Sequence, residues 1–167
     1  NLNSFFGDIS LIELFQIEGY QNKVENYIAS QNIVKHSIKN IVLLPPLPQP
    51  NSFRDAYAFR QHVETCRKNR GADMLHEFDQ FPVFYFSNHN AMYGDGQDIE
   101  IMPDHFNKLD YELEFAIVIG KGGKNILAKD AEQHIGGFCI LNDISARTLQ
   151  MEEMKLNLGP AKGKDFA

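Results

Sequence analysis

Three acidic residues carry the strongest chemical suggestion in the sequence: Glu112, Glu114 and Asp143. Glu112 and Glu114 stand two apart inside Tyr111–Ile119, a run whose β-branched and aromatic residues predict a strand. Side chains alternate across a strand, so Glu112, Glu114, Ala116 and Val118 share one face. Tyr111, Leu113, Phe115, Ile117 and Ile119 share the other. The two glutamate Cα atoms should then lie about 7 Å apart. Apolar residues on both faces at the distal end predict a strand covered on both sides, with the glutamates aimed at an enclosed place. Two carboxylates there repel, so one takes a proton or both meet a cation. The alternative is an edge strand with its glutamates in solvent.

Asp143 ends the apolar run Gly137–Asp143, which reads as a second strand. A helix-compatible segment follows. If Asp143 belongs to that helix, then Asp143, Arg147 and Gln150 stand at i, i+4 and i+7 and share a face. The alternative makes Asp143 a helix N-cap. Three carboxylates, with no Cys or His at matching spacing, select an oxygen-loving ion (Mg²⁺, Mn²⁺ or Ca²⁺) over zinc. Mg²⁺ leaves positions open for water and substrate oxygens. A closed structural Ca²⁺ site would leave no such room, and the sequence has no EF-hand loop.

The elements that must position these groups fall into two stretches. In residues 1–50, Leu11, Leu14, Phe15 and Ile17 predict one short helix, and Val24, Tyr27 and Ile28 another. Ile41–Leu44 reads as a short strand, and Pro45, Pro46, Pro48 and Pro50 make an extended connector. In residues 51–167, Ser52–Gly71 is the clearest helix, with Ser52 and Asp55 resembling a capping box. Ala56, Phe59, Val63 and Cys66 form its apolar stripe, and Gly71 suits a left-handed end. Strands are predicted at Val83–Phe86 and Asp98–Ile101, and a helical turn at Asp130–Ile135. Gly120–Asn125 looks superficially like a phosphate loop. It lacks the required glycine at Val118 and the hydroxyl residue at Asn125, so that reading is rejected.

Composition narrows the function classes. The 167 residues carry 16 basic and 22 acidic side chains, a formal net charge of −6, which argues against a nucleic-acid surface. No apolar run approaches the roughly 20 residues of a membrane span. No signal peptide is visible, and the absence of an initiator Met fits a processed or cut start. Cys66 and Cys139 have no metal-binding spacing and read as unpaired thiols of a reducing compartment, which predicts a cytoplasmic location.

Several segments together resemble the fumarylacetoacetate hydrolase family. They are Asp110–Glu114, Ile117–Lys121, Asn142–Gln150 and Gly159–Phe166, in order and spacing. The likeness is strong over residues 108–166 and weaker over 45–107, where Pro45–Pro50 and Phe53–Val63 look like one branch of the family. The resemblance implies an α+β, mostly β fold. Its catalytic core would be a mixed β-roll or sandwich, preceded here by the small α/β segment of residues 1–50. It implies Mg²⁺ or Mn²⁺ on Glu112, Glu114 and Asp143, and places Arg147, Gln150 and Lys164 around substrate oxygens. It also implies a homodimer in the usual case.

The chemistry expected from the resemblance is hydrolytic cleavage of a C–C bond in a 1,3-dicarbonyl of the acylpyruvate type, through a metal-stabilised enolate. Decarboxylation, isomerisation or hydration of a 2-keto acid uses the same logic. Lys164 is a compact donor for a developing oxyanion or a carboxylate. Hydrolysis also needs a base for water, and His62 is the candidate. Its place on the predicted helix is about 80° from the apolar stripe, at the boundary. Glu64, at i+2, points nearly the opposite way in a regular helix, so a His62–Glu64 dyad requires an irregular helix or a mobile lid. His89 is a second candidate. The family pattern continues beyond Gly163-Lys164-Asp165-Phe166. The expected core is therefore incomplete at its C-terminal end, with an inactive truncated member as one alternative. Phe86-Ser87 replaces a Lys-Pro common in the family, which changes the pocket there.

Overall fold

The computed structural model describes residues 6–30, 36–101, 107–157 and 159–167. Its elements are α1 (Leu11–Gln16), α2 (Tyr20–Ser30), β1 (Phe53–Ala56), α3 (Arg60–Asn69), β2 (Phe84–Ser87), β3 (Leu109–Ile119), β4 (Ile135–Ala146) and α4 (Arg147–Lys155). Short 3₁₀ turns cover Ile38–Asn40, His76–Asp79 and Ala128–His134. The fold is mixed α+β with small sheets: β1 pairs with β2, and β3 with β4. The chain divides into one unit of residues 1–48, 92–99 and 111–143 and another of 49–91, 100–110 and 144–167.

In the first unit, α1 starts where its sequence dictates. Ser10 accepts from the Glu13 N–H at 3.2 Å, and Glu13 Oε2 accepts from the Ser10 N–H at 2.7 Å. This reciprocal pair satisfies two donors that a helix start leaves open. Both predicted N-terminal helices form, and Phe15 meets Tyr20 with ring centroids 5.3 Å apart. The Phe15 ring also lies over two glycines. A Cβ on Gly136 would come within 2.8 Å of Phe15 Cζ, and one on Gly120 within 2.8 Å of Gly136 Cα. The end of β3 therefore meets the start of β4 at a contact that admits no side chain at either position. Ile41–Leu44 forms no strand, which corrects the α/β expectation for this segment. Its exposed apolar residues find no ladder partner among the described residues, and four apolar residues beside a proline series do not make a strand without one.

Along β3 burial alternates with a period of two from Tyr111 to Ile119, after an exposed start at Leu109 and Asp110. Glu112, Glu114, Ala116 and Val118 are half-buried, and the alternate residues are exposed. The enclosed glutamates match the expectation. The cover expected over the apolar face does not appear among the described residues: Leu113 is 71% exposed, Phe115 62% and Ile140 77%. Phe115 and Phe138 stack on that face at 5.0 Å.

In the second unit, the predicted helix Ser52–Gly71 divides. Phe53–Ala56 is strand β1, antiparallel to β2 with Asp55 opposite Tyr85, and α3 begins only at Arg60. Period-two burial places Phe53 and Asp55 on the inner face, and the Tyr85 hydroxyl donates to Asp55 Oδ2 at 2.7 Å. Arg54 faces the other way, over Phe84 and Phe86 at 5.5 and 4.9 Å. A strand partner thus overrides helix-compatible local sequence. The far end is as expected: Gly71 has φ +71°, and the N–H groups of Gly71 and Ala72 donate to Lys68 and Arg67 carbonyls at 3.0 Å. Asp98–Ile101 is irregular and not a strand.

Candidate functional site

The acidic residues belong to the first unit. Glu112 and Glu114 sit on the half-buried face of β3. Asp143 lies inside β4, which runs on to Ala146, so it is neither a helix N-cap nor on a helix face with Arg147 and Gln150. The strand continues past the acid through Ile144, Ser145 and Ala146, with Asp143 and Ser145 buried on the same face. Asp143 is 7% exposed. Carboxylate oxygens of Glu114 and Asp143 lie within 4.8 Å of each other, whereas Glu112 does not complete a trio with them at that spacing. Bringing two carboxylates so close in poorly solvated surroundings is costly unless positive charge or a proton offsets it. The pair offers hard oxygens and neither thiolate nor imidazole, a donor set that fits a divalent cation of the Mg²⁺ or Mn²⁺ kind.

The basic and amide groups belong to the second unit. Arg147 opens α4, with its N–H donating to the Lys108 carbonyl at 3.1 Å. Its Nε donates to Asp110 Oδ2 at 3.0 Å and its Nη1 to Gln150 Oε1 at 3.1 Å. Arg147 and Gln150 are therefore brought together at i, i+3 on α4. Lys164 is 4% exposed, on a turn where its own N–H donates to the Ala161 carbonyl at 2.8 Å. The Ser87 hydroxyl donates to the Lys164 carbonyl at 3.5 Å and Asn88 Nδ2 to the Asp165 carbonyl at 2.9 Å. A lysine this buried is held where its ammonium must meet oxygen acceptors.

His62 is exposed on α3 and lines a shallow groove with Phe59, Gln61 and Thr65. Its Nε2 lies 3.5 Å from Cys66 Sγ, and its ring is edge-on to Tyr57 at 6.4 Å. α3 is regular from Arg60 to Asn69, so Glu64 points away and the His62–Glu64 dyad does not form. His89 lies half-buried in the turn after β2. Asp55, expected from the sequence in a capping box with Ser52, lies instead on the inner face of β1. Phe53-Arg54-Asp55-Ala56 lacks apolar–polar alternation, so the sequence carried no strand signal there; only the pairing with β2 reveals it.

Residues 51–167 match the family model described as fumarylacetoacetate (FAA) hydrolase C-terminal. The chain belongs to the fumarylacetoacetate hydrolase family. Within the family, oxaloacetate tautomerase YisK of Bacillus subtilis is 30% identical over 124 residues, 74% of this chain and 40% of that protein. The mitochondrial oxaloacetate tautomerase FAHD2A of Bos taurus is 41% identical over 112 residues, 65% of this chain and 35% of that protein. The chain thus spans well under half the length of these relatives. A fumarylacetoacetate hydrolase from Exiguobacterium antarcticum superposes with a TM-score of 0.61 at 22% identity, over 98% of this chain and 53% of that one. At that identity the likeness is one of fold. No helix among the described residues is long and apolar enough to cross a membrane.

Proposed function

We propose that the protein is a Mg²⁺- or Mn²⁺-dependent enzyme that forms an enolate from a 1,3-dicarbonyl or 2-keto acid. The observation carrying this reading is the close pair Glu114–Asp143, with Asp143 buried. Glu114 and Asp143 hold the cation; the family resemblance adds Glu112 on the same strand face as a third ligand, although its carboxylate is not among those within 4.8 Å of one another. When bound, the cation polarises the substrate carbonyl and offsets the charge that develops on its oxygen. Arg147, fixed by Asp110 and Gln150, presents its guanidinium to a substrate carboxylate. Gln150 orients the same group. Lys164 donates to the oxygen on which negative charge grows, and its burial strengthens that bond.

For the fate of the enolate, keto–enol tautomerisation is the first reading. It needs only proton movement, and the two named relatives are oxaloacetate tautomerases. Hydrolytic C–C cleavage is the second, with His62 taking a proton from water. His62 is exposed on α3 and so open to water, while the orientation of Glu64 leaves it without that carboxylate as a partner. The protein acts as a homodimer in this proposal, on a small-molecule keto or diketo acid.

The test is a Mg²⁺- or Mn²⁺-dependent assay on oxaloacetate enol decay and on acylpyruvate cleavage. Decay of the enol without cleavage establishes the first reading, and cleavage the second. Neither activity from protein with bound cation would sink the proposal.

A further inference from the structure

The loop carrying Lys164 has an unusual anchor. Glu153, half-buried on α4, reaches the loop with both carboxylate oxygens. Its Oε2 accepts from the Ala161 N–H at 3.2 Å and the Gly163 N–H at 3.1 Å. Its Oε1 accepts from the Lys162 N–H at 2.8 Å. Three successive backbone donors thus converge on one ionised side chain. Such a concave set of N–H groups has the geometry of an anion nest, here filled by the protein's own carboxylate. Bonds of this kind are roughly twice as strong as those between neutral groups.

Two glycines close the loop down onto α4 on either side of that carboxylate. A Cβ on Gly159 would meet Met154 N at 3.1 Å and Glu153 Cβ at 3.2 Å. One on Gly163 would meet Gln150 N at 2.7 Å and its Cα at 2.8 Å. The Gly163 carbonyl in turn accepts from the Ala146 N–H at 2.8 Å. The residue just before Lys164 is therefore clamped on its N–H by Glu153, on its Cα by Gln150 and on its carbonyl by Ala146.

We infer that Glu153 is a positioning residue that sets Lys164 against the reacting oxygen. It touches no substrate; it acts through the backbone of residues 161–163. The inference rests on the proposed role of Lys164 as a donor to the substrate. A misplacement of about 1 Å in such a donor is enough to cost up to roughly a hundredfold in rate.

The test combines Glu153→Gln, Lys164→Met and the double variant in the full-length protein. It reads kcat and KM for oxaloacetate with Mg²⁺, together with amide hydrogen exchange over residues 161–164. Glu153→Gln keeps the size of the side chain but turns a donor toward a donor. The expected result is a loss of about tenfold or more in kcat, with little change in KM. Exchange at 161–164 speeds up while α4 stays protected. In the Lys164→Met background the same change costs little further, because both act through one group. Equal losses in both backgrounds, or faster exchange with unchanged kcat, overturn the inference and leave the role of Lys164 intact. Unchanged turnover in Lys164→Met itself overturns the proposed role of Lys164, and this inference with it. If Glu153→Gln does not fold, Glu153→Asp substitutes for it. The shorter carboxylate keeps the charge, and a smaller kcat loss with the same non-additivity is expected; full activity in it overturns the inference.

Discussion

The acidic pair and the basic group are held in different ways. Glu114 and Asp143 are on long strands, where alternation alone decides which face a side chain takes. Their placement follows from the backbone of β3 and β4. Arg147, Gln150 and Lys164 lie at a helix start and on a turn, and hydrogen bonds from neighbours fix them: Asp110 on Arg147, Glu153 on the turn, and Ser87 and Asn88 on the Lys164–Asp165 carbonyls. Strand geometry is stiff and indifferent to a neighbour's identity. A helix start and a turn take their shape from particular side chains. The difference suggests that cation affinity depends on few residues and substrate handling on many.

The largest expected effect tests the first half of that contrast. Glu114→Gln and Asp143→Asn each keep side-chain size and remove the charge of a proposed ligand. Each should weaken Mg²⁺ or Mn²⁺ binding by more than about a hundredfold, since even outer partners of ligands cost 10–100-fold. Isothermal titration with the metal alone measures this. A metal affinity that survives both substitutions would remove the centre from this face of the hairpin.

A smaller effect tests the second half. Asp110→Asn weakens the charge-assisted bond that orients Arg147 without removing the guanidinium. Both groups are partly exposed, so little stability should be lost. KM for oxaloacetate should rise several-fold, by about tenfold at most, with metal affinity unchanged. A parallel fall in metal affinity would show that the two groups are not held independently.

This contrast also explains what was legible in the sequence. The face shared by Glu112 and Glu114 could be read directly, because residues two apart on any strand share a face and Tyr111–Ile119 reads as a strand. So could the left-handed end at Gly71, which is local chemistry, whereas the box expected at Ser52 and Asp55 is absent because β1 runs there. Family resemblance tied Asp143 to the two glutamates and added Arg147, Gln150 and Lys164 as its neighbours, and residues 51–167 match that family. What failed depended on partners distant in sequence. Phe53–Ala56 is a strand because β2 lies beside it, 28 residues or more away. Asp143 stayed in β4 because the strand continued past an acid that local rules favour as a cap. Glu153 was invisible, since nothing in Gly159–Lys164 announces which side chain will gather its N–H groups.

The smallest effect concerns α1, whose Phe15 covers the Gly120–Gly136 contact at one end of the strand pair. If the strands alone place the acids, then loosening α1 should cost stability and leave cation affinity untouched. Ser10→Ala removes the hydroxyl of the capping box and should lower the melting temperature by a few degrees at neutral pH. The same box holds the Glu13 carboxyl below its ordinary value of 4.5, through the Ser10 N–H first and its hydroxyl second. A depressed carboxyl stabilises the fold fully above that ordinary value and loses the effect as pH falls through the lower, folded one. The gap in melting temperature between Ser10→Ala and the parent should therefore be constant near neutrality and narrow below pH 4.5. A gap that widens in acid would assign the stabilisation to another group. A shift in Mg²⁺ affinity in Ser10→Ala would mean that α1, and not the strand alternation alone, sets the distance between Glu114 and Asp143.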